Sequence, residues 1–127
     1  VSRDSYRGYT PEQGDIVYVT FDPQSGREIK KRRPALVVSA TPYNRATGFV
    51  QICPIISTIR HRPGFFTLTD QKAISGQVNA IQLRSVDFLS PHRNIVKVEA
   101  IDPRTFGEIA QFIRFIFDFD QILDFGD

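Results

Sequence analysis

The feature that most constrains this chain is a change of hydrophobic period at Asp102. Before it, short runs of β-branched and aromatic residues are punctuated by Gly, Pro, Asn and Asp, the pattern of strands and turns. After it, apolar residues recur at the spacing of one helical face. The strand-like runs are Asp15–Phe21, then ALVVSA opened by Pro34, Phe49–Ile56, Phe65–Leu68, Gln77–Leu83 and Asn94–Ala100. Thr41-Pro42-Tyr43-Asn44 and Thr47-Gly48 read as breaks between them. ALVVSA is apolar enough to be a buried strand, whereas NIVKVEA alternates as a half-exposed one does. In Gln77–Leu83 the same alternation puts Asn79 and Ile81 on one face.

In the final segment Asp102 is a good N-cap and Pro103 fits the first helical position. Phe106, Ile109, Phe112, Ile113, Ile116, Phe117 and Leu123 form the apolar face, opposite Arg104, Glu108, Gln111 and Asp118. Phe115, Phe119 and Phe125 widen that face beyond one stripe. Two readings fit: a second contact such as a dimer interface, or a helix packed deeply on its own sheet. The fold class expected is therefore α+β, mainly β: short antiparallel strands in a small barrel or sandwich, with a C-terminal α-helix.

With 127 residues, the chain has room for one domain. Residues 1–13 are polar, carry Gly8 and Pro11, and read as a loosely held arm; 14–127 form the domain. Apolar residues make up 41%, eleven of them Phe, enough for one core and too many for global disorder. Cys53 stands alone inside an apolar run, which excludes an internal disulfide framework and points to a reducing compartment and a buried thiol. Two scattered His and one Cys make no metal-ligand spacing, so neither metal nor other cofactor is expected. No apolar stretch approaches the roughly 20 residues of a membrane span and no signal peptide opens the chain, so the protein is expected in the cytoplasm, away from membranes.

Net charge is only +2, but its distribution is uneven. Arg27–Arg33 (REIKKRR) holds five basic residues and one acid, and Arg60, His61, Arg62, Arg84, His92 and Arg93 follow. Glu108, Asp118, Asp120, Asp124 and Asp127 stand against Arg114 at the other end. A basic first half can attract phosphates; on charge alone, solvated loops are as good a reading.

Gly14-Asp15-Ile16-Val17, Phe21-Asp22-Pro23, Ser25-Gly26-Arg27-Glu28 and Arg33-Pro34-Ala35-Leu36-Val37-Val38-Ser39 follow one another in a familiar order. Tyr43-Asn44, Thr47-Gly48, Pro54 before a Ser/Thr pair and Gln82-Leu83-Arg84-Ser85-Val86-Asp87 continue it. In that order and spacing the chain resembles the MazF/Kid (PemK-like) family of toxin endoribonucleases, from Gly14 to the last helix. The resemblance implies an SH3-like barrel, a homodimer and silencing by a cognate acidic antitoxin. It also implies metal-independent, sequence-selective cleavage of single-stranded RNA, mRNA included, by attack of a ribose 2′-hydroxyl. That route leaves a 2′,3′-cyclic phosphate and a 5′-hydroxyl, and it requires RNA because the 2′-OH is the nucleophile. Two other readings remain: a non-enzymatic toxin that binds DNA gyrase, like the CcdB type, and a catalytically weakened RNA-binding relative.

Such a reaction needs a proton acceptor, a holder of phosphoryl charge and help for the leaving oxygen. The family's functional arginine maps onto Arg33, whose forked guanidinium matches phosphate oxygens. Ser57 or Thr58 would bond the scissile phosphate; the family's threonine position, two after the proline, is Ile56 here. Glu28 is the nearest carboxylate to act as base, and Arg27 stands where some members have histidine. Arg27, Lys30, Lys31, Arg60, His61, Arg62, Gln82 and Arg84 are the expected RNA contacts, with Phe65 or Tyr43 for base stacking and His61 as a proton shuttle. Many relatives carry an acid just before Gln82. Here Ile81 occupies that place, and Asn79 on the same expected face is left to bind RNA.

Overall fold

The structure is a computed structural model that describes residues 4–21 and 32–124. Its elements are β1 (Asp15–Thr20), β2 (Arg32–Val37), α1 (Thr41–Thr47), β3 (Phe49–Ile56), β4 (Phe65–Thr67), β5 (Gln77–Asn79), β6 (Arg84–Asp87), β7 (Val96–Ala100), α2 (Pro103–Ile116) and α3 (Asp120–Leu123). All seven strands join one antiparallel sheet in the order β4-β5-β3-β2-β1-β7, with β6 also on β3. The path is open: among the described residues β4 and β7 do not pair. The fold is α+β with a barrel-like sheet, as expected from the strand count.

The central strands are apolar on both faces because each face covers its own core. Val17 and Val19 of β1, Ala35 and Val37 of β2, and Val50 and Ile52 of β3 enter one core with Val86, Phe88 and Ile95. The alternate residues Ile16, Leu36, Cys53 and Ile55 enter the other, closed by Val78, Ala80, Ile101 and Ile109 of α2. Period-2 alternation thus feeds two apolar compartments, which is why IVYVTF and ALVV read as nearly continuous apolar runs.

Four expectations are corrected. The described part of the N-terminal arm is packed: Tyr6 is 8% exposed and belongs to the first core. Tyr6 and Tyr9 close a two-residue hairpin by N–H to carbonyl bonds of 2.9 and 3.0 Å, and the partly buried Tyr9 hydroxyl donates to Asp15 at 2.5 Å. The break at Thr41–Thr47 is a helix, since Pro is compatible with its first turn. It ends at Gly48, left-handed with φ 74°, and buried Asn44 ties it to Pro11 O at 2.8 Å. The run Gln77–Leu83 stops as a strand at Asn79, where a 3-10 turn, Ala80–Gln82, separates β5 from β6. The last helix ends at Ile116, and Phe117 breaks it before the short α3. Its start is as expected: the Asp102 carboxylate accepts from Thr105 N at 3.1 Å.

Candidate functional site

A cleft of about 940 Å³ opens where the sheet breaks around Pro54. On one side β2 and β3 pair only as far as Ala35 and Pro54, after which β2 continues beside β1 alone, out to Thr20 opposite Arg32. On the other side β3 carries on beside β5 through Ile55 and Ile56, and the 3-10 turn displaces the chain before β6 begins. Pro34 and Pro54 lie at this parting, and neither has an N–H to offer a ladder. The outer ends of β1 and β2 supply Phe21, Arg32, Arg33 and Pro34; β3 and its following loop supply Ile56, Ser57, Thr58 and Arg60. Ser75, Gln82, Leu83 and Arg84 complete the lining.

Four guanidinium groups therefore face one cavity. Among the described residues none of Arg32, Arg33, Arg60 and Arg84 pairs with a carboxylate, and no acid lines the cleft. Three of them are held by other means. The guanidinium of Arg32 lies 5.4 Å from the Tyr18 ring and that of Arg84 lies 5.1 Å from Phe21. Arg84 also donates to Phe21 O at 3.3 Å, and Arg93 anchors the same carbonyl at 2.7 Å from the far side. The backbone of Arg60 is clasped by buried Gln77, whose Oε1 accepts from Arg60 N at 2.8 Å and whose Nε2 donates to Arg60 O at 3.1 Å. Gly76 precedes it with φ 121°, where a Cβ would come within 2.1 Å of Ile56 O; only glycine lets these strands approach.

Of the residues expected at the site, Arg33, Ser57, Thr58, Arg60, Gln82 and Arg84 line this cleft together. Both hydroxyl residues reach it although Ile56 takes the family's threonine position. Glu28, Arg27, Lys30 and Lys31 lie outside the described residues. His61 and Arg62 are exposed on the same loop beyond the lining, with Arg62 6.0 Å from the Phe65 ring. Tyr43 is on α1, accepting from Gln51 Nε2 at 3.2 Å, and neither it nor Phe65 reaches the cleft.

Asn79 is a correction. It is buried, and its Oδ1 accepts from Ile81 N at 3.1 Å, capping the 3-10 turn and not facing the cleft. Ile81 does not share its face either: a Cβ at Gly64 would meet Ile81 at 2.6 Å and Phe112 at 3.1 Å, so Ile81 leans toward α2. Ile81 is therefore not among the described residues that line the cleft. Arg32, Phe21, Ser75 and Gln77 were missed. Arg32 was visible within the basic run, but a buried Gln clasping a distant loop leaves no local sequence signal. Burial pushes the Cys53 thiol up to about 12, so it is an inert core group at neutral pH.

An open antiparallel sheet with an arginine-lined cleft at its broken edge is that of a small protein suited to a polyanionic ligand. The family model described as PemK-like, MazF-like toxin of type II toxin-antitoxin system matches residues 12–117, and the chain belongs to this family. It is 35% identical over 81 residues to the endoribonuclease toxin MazF of Escherichia coli (strain K12), covering 61% of this chain and 73% of that protein. To the endoribonuclease PemK of Escherichia coli it is 32% identical over 80 residues, 60% of each chain. The crystal structure of MazF from Deinococcus radiodurans superposes with a TM-score of 0.74 at 33% identity, covering 87% of this chain and 98% of that one. A MazE–MazF complex from the same organism gives 0.72 at 29%, covering 86% and 96%.

Proposed function

We propose that this protein is the toxin of a toxin–antitoxin pair and an endoribonuclease that cuts single-stranded RNA, mRNA included. The observation that carries this reading is the convergence of Arg32, Arg33, Arg60 and Arg84 beside Ser57 and Thr58, with no carboxylate in the described lining. Such a site attracts a phosphodiester and is suited to the added charge of a phosphoryl transition state. The ribose 2′-oxygen attacks the adjacent phosphorus, the bond to the 5′-oxygen breaks, and a 2′,3′-cyclic phosphate and 5′-hydroxyl result. Arg33 holds the non-bridging oxygens, and Ser57 or Thr58 hydrogen-bonds the same group. Glu28 is the candidate to accept the 2′-proton. Arg27, Lys30, Lys31, Arg60, His61, Arg62, Gln82 and Arg84 are candidates to bind the strand.

The toxin acts in the cytoplasm, where its substrate is; among the described residues no helix is long and apolar enough to cross a membrane. It works without a metal, as a homodimer, and an acidic antitoxin segment silences it by covering the same cations. The test is incubation with long single-stranded RNA in EDTA, beside Arg33→Ala. Discrete fragments with cyclic-phosphate ends are expected from the wild type, not from the variant, and should vanish when the co-encoded acidic protein is added. Intact RNA across many sequences, with toxicity surviving Arg33→Ala, would overturn the nuclease reading in favour of a protein-binding toxin.

A further inference from the structure

A second, smaller hollow of about 420 Å³ adjoins the cleft, and Arg32 lines both. Its walls come from places distant in sequence: the N-terminal hairpin supplies Tyr6 and Arg7, β1 ends in Thr20, and the turn before β7 supplies Pro91, His92 and Asn94. Among the described residues no carboxylate lines it, and neither Arg7 nor Arg32 pairs with an acid. Both guanidinium groups lie over tyrosine rings, Arg7 at 5.1 Å from Tyr6 and Arg32 at 5.4 Å from Tyr18. Stacking occupies the flat face of a guanidinium and leaves its in-plane N–H donors for an anion.

The backbone is bent to make this arrangement. Arg7 has φ 53° and Asn94 φ 49°, a left-handed conformation uncommon for a residue with a side chain. Arg7 and Gly8, both at positive φ, form the turn closed by the Tyr6–Tyr9 bonds, a position where Asn-Gly is the usual choice. Core burial of Tyr6 pins that turn, so Arg7 is presented from a fixed base. The Tyr6 hydroxyl reaches Asn94 Oδ1 at 3.4 Å, bringing the hairpin to the opposite wall.

We propose that this hollow is a second subsite of the RNA track, holding the phosphate and nucleoside next along the strand from those in the cleft. Arg7 and Arg32 grip the phosphate, and the His92 and Pro91 rings pack against the base or ribose. Arg32 joins the two subsites, so one continuous strand passes over the end of β1. This rests on the reading of the cleft as an RNA site, and it adds a determinant of how much flanking sequence the toxin engages.

The experiment is a binding series with fluorescent 2′-O-methyl oligonucleotides of randomised sequence, from about four to about twelve nucleotides, the range of single-strand sites. These strands lack the free 2′-hydroxyl and stay intact, so binding is read apart from cleavage. The quantity compared is the ratio of affinities for long and short strands within each protein, for wild type and for Arg7→Ala/His92→Ala. The wild-type ratio should rise with length, and the double variant should lose about tenfold of that rise, with the salt slope on the long strand smaller by about 0.7. Arg7→Glu alone, at an exposed position, should lower the ratio as well. A ratio equal to wild type in both variants would overturn the subsite. Cleavage of unmodified RNA is scored in parallel: a wild type that cuts RNA but shows a flat ratio loses only this proposal. A wild type that shows the length rise yet cuts nothing loses only the nuclease reading.

Discussion

The distinction that matters most at the scale of single residues is between charge and shape at position 33. Four arginines converge on the cleft, so deleting one positive charge leaves a strongly positive field, and a point charge alone is replaceable. A guanidinium offers two parallel donors in fixed geometry, which an ammonium cannot reproduce. Arg33→Lys should therefore retain RNA affinity while its single-turnover cleavage rate falls. Removing one such donor group costs about 10²–10³-fold in related chemistry; Arg33→Ala should reach that range and Arg33→Lys fall between it and wild type. A lysine variant as fast as wild type would show that Arg33 acts only by attraction, and the forked contact would be abandoned. Cys53, the single thiol of the chain, is removed from any chemical role by its burial between the sheet and α2.

Between elements, the device that holds the sheet's outer loop is a carboxylate. Glu99 on β7 accepts from the backbone N–H groups of Lys72 and Ala73 at 3.1 Å and of Ile74 at 2.9 Å. Burial alone would raise its pKa, but the bonds from Ile74, Lys72, Ala73 and the Gln71 side chain outweigh that and hold it below the ordinary 4.5. A depressed folded value means that stability from this contact is full above the ordinary range and is lost as pH falls through the folded value. The gap in melting temperature between wild type and Glu99→Gln should be widest near neutrality and close on the acid side of 4.5. A gap that stays constant through the acid limb would sink this account. Periodicity made most of these elements legible: β1, β3 and α2 with its Asp102 cap stand where alternation and capping put them. What it could not show depends on tertiary contacts. The 3-10 turn breaks a good strand pattern because Asn79 caps it, and Thr41–Thr47 is helical although its Thr-Pro-Tyr-Asn opening reads as a turn. Arg33 and the Ser57–Thr58 pair were legible by resemblance; the Gln77 clasp and the share of Arg32 were not, since both depend on loops meeting across the sheet.

For the whole molecule, the open question is what covers its C-terminal end. The first part of α2 packs inward through Phe106, Ile109 and Ile113, whereas Phe115 is 78% exposed, Ile122 67% and Leu123 64%. The inward-packed reading of the wide aromatic face therefore holds for the first stretch of the segment, and the later stretch is exposed. Phe112 and Phe115 lie 6.3 Å apart and Phe117 and Phe119 stack at 6.2 Å, so these aromatics sit in two pairs along the segment. Exposed apolar side chains close together suit an interface, and aromatics are the residues such interfaces favour. Beside it the Arg114–Asp120 pair at 2.7 Å offsets one acid of this acidic end; an exposed pair adds little stability, but it lowers the like-charge repulsion between two copies. The occupant proposed is a second copy of this chain, with the arginine clefts left open to solvent. Light scattering at micromolar concentration should give a dimer for the wild type and a monomer for Phe115→Glu/Ile122→Glu, whose sites are exposed and whose fold should persist by circular dichroism. A wild-type monomer would remove the dimer altogether. A double variant that stays dimeric would move the interface away from α2 and α3, and the exposed aromatics would then have to face a different partner.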